Sequence, residues 1–116
     1  MTRFRAIHMI ELKPHVENEL FEDFMMHEFL PSIRALPGCL AVELLQGYHG
    51  GLEGVAHAEF DYGWLTLWES VEANNAVWSK QGTHHTPEEI QEVNSKLYHY
   101  AANYSLVGGF TISKEI

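Results

Sequence analysis

Hydrophobic and polar positions along the chain fall into two periods, one alternating and one helical. Residues Phe4 to Leu12 are mostly apolar with β-forming character and stop at Lys13-Pro14, which predicts a first strand. Val16, Leu20, Phe21, Phe24, Met25, Phe29, Ile33 and Leu36 then recur at helical spacing. They predict an amphipathic helix with Glu17, Asn18, Glu22 and Asp23 on its wet side, kinked or ended at Pro31. Leu36-Pro37-Gly38 closes that unit, and Cys39 to Tyr48 alternates Leu40, Val42 and Leu44 against Ala41, Glu43 and Leu45 as a second strand. Gly47, Gly50, Gly51 and Gly54 mark a flexible connection.

All three tryptophans lie in the next unit, a strand that runs directly into a helix. Alternation puts Tyr62, Trp64, Thr66 and Trp68 on one face of this third strand and Gly63, Leu65, Leu67 and Glu69 on the other. The leucine face suits packing under helices, and the aromatic face suits a second protein layer or a small apolar ligand. Ser70 can cap the helix holding Ala73, Ala76 and Val77, which Gly82 breaks. Thr86-Pro87-Glu88-Glu89 predicts another helix start, with Thr86 as N-cap and Glu89 as its capping-box partner. That helix runs to about Tyr98, with Ile90, Val93, Leu97 and Ala101 as its apolar stripe and Glu92, Asn94 and Lys96 in solvent. Tyr104 to Ser113 alternates again as a fourth strand, with a bulge or close backbone contact at Gly108-Gly109.

The order strand, helix, strand, strand, helix, strand predicts an α+β fold: a ferredoxin-like split βαβ unit whose antiparallel sheet carries its helices on one face. A sheet apolar on both sides needs a second cover. A second copy of the chain supplies it most simply, joined through the sheet faces as a dimeric α/β barrel. The 116 residues suit a single domain spanning 1–116.

Composition removes several functions. The net charge of −9, from 16 acidic against 7 basic residues, repels phosphate backbones and anionic lipid, so nucleic acid is not an expected partner. Cys39 alone can form no internal disulfide or cysteine cluster. No apolar stretch has the length of a signal h-region or membrane span, and a cytoplasmic protein is expected. There is no Gly-x-Ser-x-Gly elbow, Walker loop or dinucleotide fingerprint. The eight histidines show no zinc-helix pairing, so no metal site is expected. Cys39 has no basic neighbour to activate it, and the acidic groups Glu17, Glu19, Glu22 and Asp23 read as a solvated helix side.

Pro37-Gly38 before a strand, the glycine-rich connection, and an apolar strand ending Leu67-Trp68-Glu69-Ser70 with Glu72-Ala73 in the next helix resemble the dimeric α/β-barrel superfamily, especially its antibiotic-biosynthesis-monooxygenase-like members. The resemblance covers nearly the whole chain in order of elements, and its motifs mark fold rather than reaction. Members include cofactor-free monooxygenases of polycyclic aromatics, haem-degrading enzymes, decarboxylases, isomerases and stress-responsive proteins. The monooxygenase resemblance implies a flat aromatic ligand between sheet and helices and no cofactor. Trp64 and Trp68 would stack on that ligand. His8, Tyr104 or Asn74 would hydrogen-bond or deprotonate it, and Trp78 and His84 belong to the same candidate pocket. His8 and Tyr104 are the candidate catalytic residues, although a histidine on a sheet face is also a common packed residue. A non-catalytic ligand-binding or stress-response protein on the same scaffold is the alternative. Haem fits less well: the related haem enzymes use a first-strand asparagine and an axial histidine after the third strand. This chain has no asparagine in that strand and Ser79 near the axial place, with His84 and His85 just beyond.

Overall fold

The computed structural model describes residues 2–52 and 54–115. Strand β1 (Phe4–Leu12) is followed by α1 (Asn18–Phe24), a π-helical segment (Met25–Phe29) and α2 (Leu30–Arg34). Next come β2 (Cys39–Gln46), β3 (Tyr62–Trp68) and α3 (Val71–Trp78). The hairpin β4 (Ser79–Lys80) and β5 (Thr83–His84), α4 (Glu88–Tyr100) and β6 (Ala101–Thr111) complete the chain. The main sheet is antiparallel, in the order β2-β3-β1-β6. This is the ferredoxin-like α+β arrangement the sequence predicts. Among the described residues no helix is long and apolar enough to cross a membrane.

The first helical stretch is not one helix. Pro31 has no N–H to give the carbonyl four residues back, and its ring collides with that carbonyl. The chain widens into the π-segment just before it and resumes as α2 with Pro31 in the first turn. Phe21, Phe24, Met25, Phe29, Leu30 and Ile33 all stay buried through this change. Gly38 follows at φ 83°, and a Cβ there would lie 2.8 Å from that of Ala73, so the Pro37-Gly38 turn is pressed against α3.

The expected roles of the two sheet faces are reversed. Tyr62, Trp64, Thr66 and Trp68 are all buried under the helices of the same chain, whereas Leu65 and Leu67 are only half-buried on the open side. Alternation fixes which residues share a face, and burial of the larger aromatic surface decides which face the helices cover. The open face also carries Ile7, Met9, Leu45 and Phe110, by their register beside Leu65 and Leu67.

Other boundaries shift for local reasons. Ser70 caps α3 as expected, its Oγ accepting from Ala73 N at 3.1 Å. At α4 the capping box does not form: Pro87 takes the N-cap place, with no side-chain bond, and Gln91 Nε2 donates to the Thr86 carbonyl instead. The residues after α3 turn back through Gln81 and Gly82, both at positive φ, into the unexpected β4–β5 hairpin. In β6 the register slips at Val107, one residue before the glycine pair, so the halves of the strand have opposite parity.

Candidate functional site

Between the β1–β6 half of the sheet and the layer formed by Phe29, α3, the hairpin and α4 lies a cavity of about 510 Å³. The sheet supplies its aromatic wall. β1 runs between β3 and β6, with His8 opposite Trp64 on one side and Leu106 on the other, one step from Tyr104. Adjacent strands hold such side chains at stacking distance. His8 and Trp64 lie 4.1 Å apart between ring centroids at 6°, and His8 and Tyr104 lie 5.4 Å apart at 11°. Three strands thus contribute one ladder of nearly parallel rings. Phe29 meets Trp64 edge-on at 5.1 Å, and Tyr98 meets Tyr104 edge-on at 5.9 Å.

A close approach keeps the wall open. Gly109 faces Ala6 across the sheet, and a Cβ there would lie 2.2 Å from the ring of Phe4, another lining residue. Any larger residue at 109 would displace that ring.

Burial dominates the electrostatics. It lowers the pKa of His8 from 6.5 to about 4, so the imidazole is neutral near pH 7. Its Nδ1 is buried without a hydrogen-bond partner, as is Nε1 of Trp64. Burial chiefly, and then the neighbouring Tyr98, push the Tyr104 hydroxyl well above the usual tyrosine range. The Trp64 indole acts weakly in the other direction while making no hydrogen bond of normal geometry. The wall therefore offers a neutral imidazole and a protonated phenol side by side.

His8, Tyr104, Trp64, Asn74, Trp78 and His84 all line the cavity. Trp68 does not. It is fully buried, its indole N–H donates to Thr66 Oγ1 at 2.9 Å, and Trp78 packs edge-on against it at 6.3 Å. Trp78, not Trp68, reaches the wall on that side. Sequence reading missed Phe29, Asn75, Thr86, Asn94 and Tyr98. Asn94, expected in solvent, is half-buried in the lining. Ile90, Asn94 and Tyr98 recur every four residues on α4, and that spacing was the available signal.

The lining does not match haem. Among the described residues no arginine or lysine stands on the wall to meet propionates, His8 is held against two rings, and His84 is exposed on the hairpin. Among the described residues no group of three or more His, Cys, Asp and Glu side chains converges as a metal site.

No protein-family model matches the chain, and no curated protein matches it. Solved structures do. A DABB family protein with a ferredoxin-like fold from Mesorhizobium loti superposes with TM-score 0.64 at 13% identity, over 95% of this chain and 96% of that one. A dimeric ferredoxin-like protein of unknown function from Thermobifida fusca gives 0.64 at 12%, over 96% and 92%. SnoaB, a cofactor-independent oxygenase from Streptomyces nogalater, gives 0.61 at 14%, over 99% and 95%. At these identities the likeness shows the ferredoxin-like fold alone.

Proposed function

We propose that the protein is a cofactor-independent oxygenase, acting as a single-domain homodimer on a flat phenolic compound held between sheet and helices. The observation that carries this reading is the pairing of neutral His8 with protonated Tyr104 on the wall of an aromatic cavity. The fold likeness to SnoaB supports it.

In the proposed reaction the imidazole of His8 takes the phenolic proton and Tyr104 donates to the enolate oxygen. His8 is a weak base in the free cavity because it is buried without a counter-charge, and the enolate supplies that charge as it forms. The enolate electron pair forms a C–O bond to dioxygen, and the proton returns to give a hydroperoxide. Where the oxygenated carbon still bears a hydrogen, loss of water from the hydroperoxide leaves a carbonyl. Trp64 and Trp78 hold the ring system, and Trp68 supports Trp78 from the core. The apolar open face of the sheet, with Ile7, Met9, Leu65 and Leu67, forms the dimer contact in this reading, and Leu65→Glu shifts the protein toward monomer in analytical ultracentrifugation.

A non-catalytic ligand-binding protein is the second reading, favoured by one observation: no hydrogen bond to Nδ1 orients the His8 ring as catalytic histidines are usually oriented. Oxygen uptake separates the two. Under the oxygenase reading, a phenolic polycycle that quenches tryptophan fluorescence also drives oxygen consumption, and His8→Ala lowers that rate by roughly 100-fold or more while binding persists. Saturable binding without oxygen consumption in the wild type would leave the second reading.

A further inference from the structure

The charged residues of this chain are kept off the cavity wall. Among the described residues, no Asp, Glu, Lys or Arg is a lining residue. On the sheet side His8 and Tyr104 are both uncharged near pH 7. Facing them, the helical layer contributes three side-chain amides, of which Asn75 is exposed, together with Thr86 and His84. His84 is exposed on the hairpin, where solvent screens any charge it carries. Asn74 and Asn75 stand next to each other on α3, with Nδ2 of Asn74 donating to Oδ1 of Asn75 at 3.1 Å. That bond leaves the Asn74 carbonyl oxygen as an acceptor and protons of the Asn75 amide as donors. Asn94 is half-buried on α4, within a lining otherwise rich in aromatic rings.

A ligand carboxylate placed against these amides, away from His8, loses hydration and meets no fixed cation in return, a costly desolvation. A hydroxyl or carbonyl fares differently, because each amide can serve as donor and as acceptor. The same walls that admit an oxygenated neutral ring therefore reject its ionised derivative.

We propose that Asn74, Asn75 and Asn94 are specificity-determining residues, selecting an uncharged polycycle with hydroxyl or carbonyl oxygens directed at both walls and excluding its carboxylate-bearing counterpart. This deepens the functional reading above and rests on the same cavity. One ligand oxygen meets His8 and Tyr104, and another meets the amides of α3 and α4.

The test is a matched pair of titrations near neutral pH, followed by quenching of tryptophan fluorescence, with a dihydroxyanthraquinone and with the same ring system bearing one carboxylate. The wild-type protein binds the carboxylate at least ~100-fold more weakly than the neutral compound. Asn94→Leu weakens the neutral compound by roughly 10-fold, as loss of a hydrogen-bonding group does. Asn94→Lys narrows the gap between the two ligands by supplying the missing cation, and far-ultraviolet circular dichroism confirms that both variants fold. Equal affinity of the wild type for both compounds overturns charge selection, whether or not oxygen is consumed. Strong preference for the neutral compound without oxygen uptake, measured with its reduced hydroxy form, sustains the selection and overturns only the oxygenase reading. Binding of neither compound overturns both.

Discussion

Trp64 and Trp68 stand four residues apart on one face of β3, and both are buried, yet their surroundings differ in kind. Trp68 is satisfied: its N–H bonds to Thr66, and its ring packs against Trp78. Trp64 leaves its N–H without a partner and turns a ring toward a hollow, stacked on a histidine that is also unpartnered at Nδ1. The β2–β3 half of the sheet is closed by Leu30, Ile33 and Leu36, whereas the β1–β6 half is left with space. Unmet hydrogen bonding and incomplete packing occur together, at the aromatic cavity. A domain can be closely packed in one half and hold unpartnered polar groups in the other, because each half makes its own contacts.

The contrast can be broken most severely at Trp68. Trp68→Ala costs about 3–5 kcal/mol in urea-induced unfolding, and Trp64→Ala costs at least ~1 kcal/mol less because its neighbourhood is already open. Equal losses would mean that the hollow contributes as much cohesion as the core.

Acid distinguishes the halves next. The unfolded chain protonates a histidine near 6.5, whereas His8 in the fold does so only near 4. Between these values the unfolded state holds more protons, so stability falls as pH drops through the window, and below about 4 the penalty is complete. The loss attributable to His8 is of order 3 kcal/mol, and His8→Gln removes that part of the slope when unfolding is compared near pH 7 and near pH 4.

Thr66→Val then asks whether the satisfied indole matters. It keeps the shape and strands the Trp68 N–H, lowering stability by about 1–3 kcal/mol in thermal unfolding. No comparable loss is open to Trp64, whose N–H is unpartnered from the start. The smallest effect is at Ser70→Ala, about 1 kcal/mol from the lost α3 cap, with ligand affinity falling as well because α3 carries Asn74 and Trp78 over the cavity.

Much of the fold was legible because it rests on periodicity. β1 spans the predicted Phe4–Leu12, the third strand ends at the predicted turn into Ser70, and the element order gives the sheet. The two faces were assigned the wrong way round because a period of two carries no information about which side the helices approach. The glycine pair announces the irregularity of β6, which falls one residue earlier at Val107 because its exact place is set by strand pairing, and the hairpin after α3 turns on backbone conformation at Gln81 and Gly82. Neither leaves an apolar pattern. The site was partly legible for a related reason. His8, Trp64 and Tyr104 could be nominated one by one from their strands, but their stacking depends on the register that sets β1 between β3 and β6. Trp68 shares a face with Trp64 and was drawn into the same pocket, and only its Thr66 bond and Trp78 contact separate them.

The slip at Val107 has an evolutionary reading. Ahead of it Tyr104 and Leu106 face the helices, and beyond it Gly109 does, while Phe110 pairs with Arg5 on the open side. Had the second half of β6 kept the parity of the first, Phe110 would stand beside Phe4 and its ring would fill the hollow. Emptying that much volume by truncating packed side chains costs about 2–5 kcal/mol for each large residue removed. Inserting one residue in an edge strand reaches a similar end by turning a large side chain outward, and lineages sharing this scaffold could gain or lose a ligand chamber by indels as readily as by substitutions.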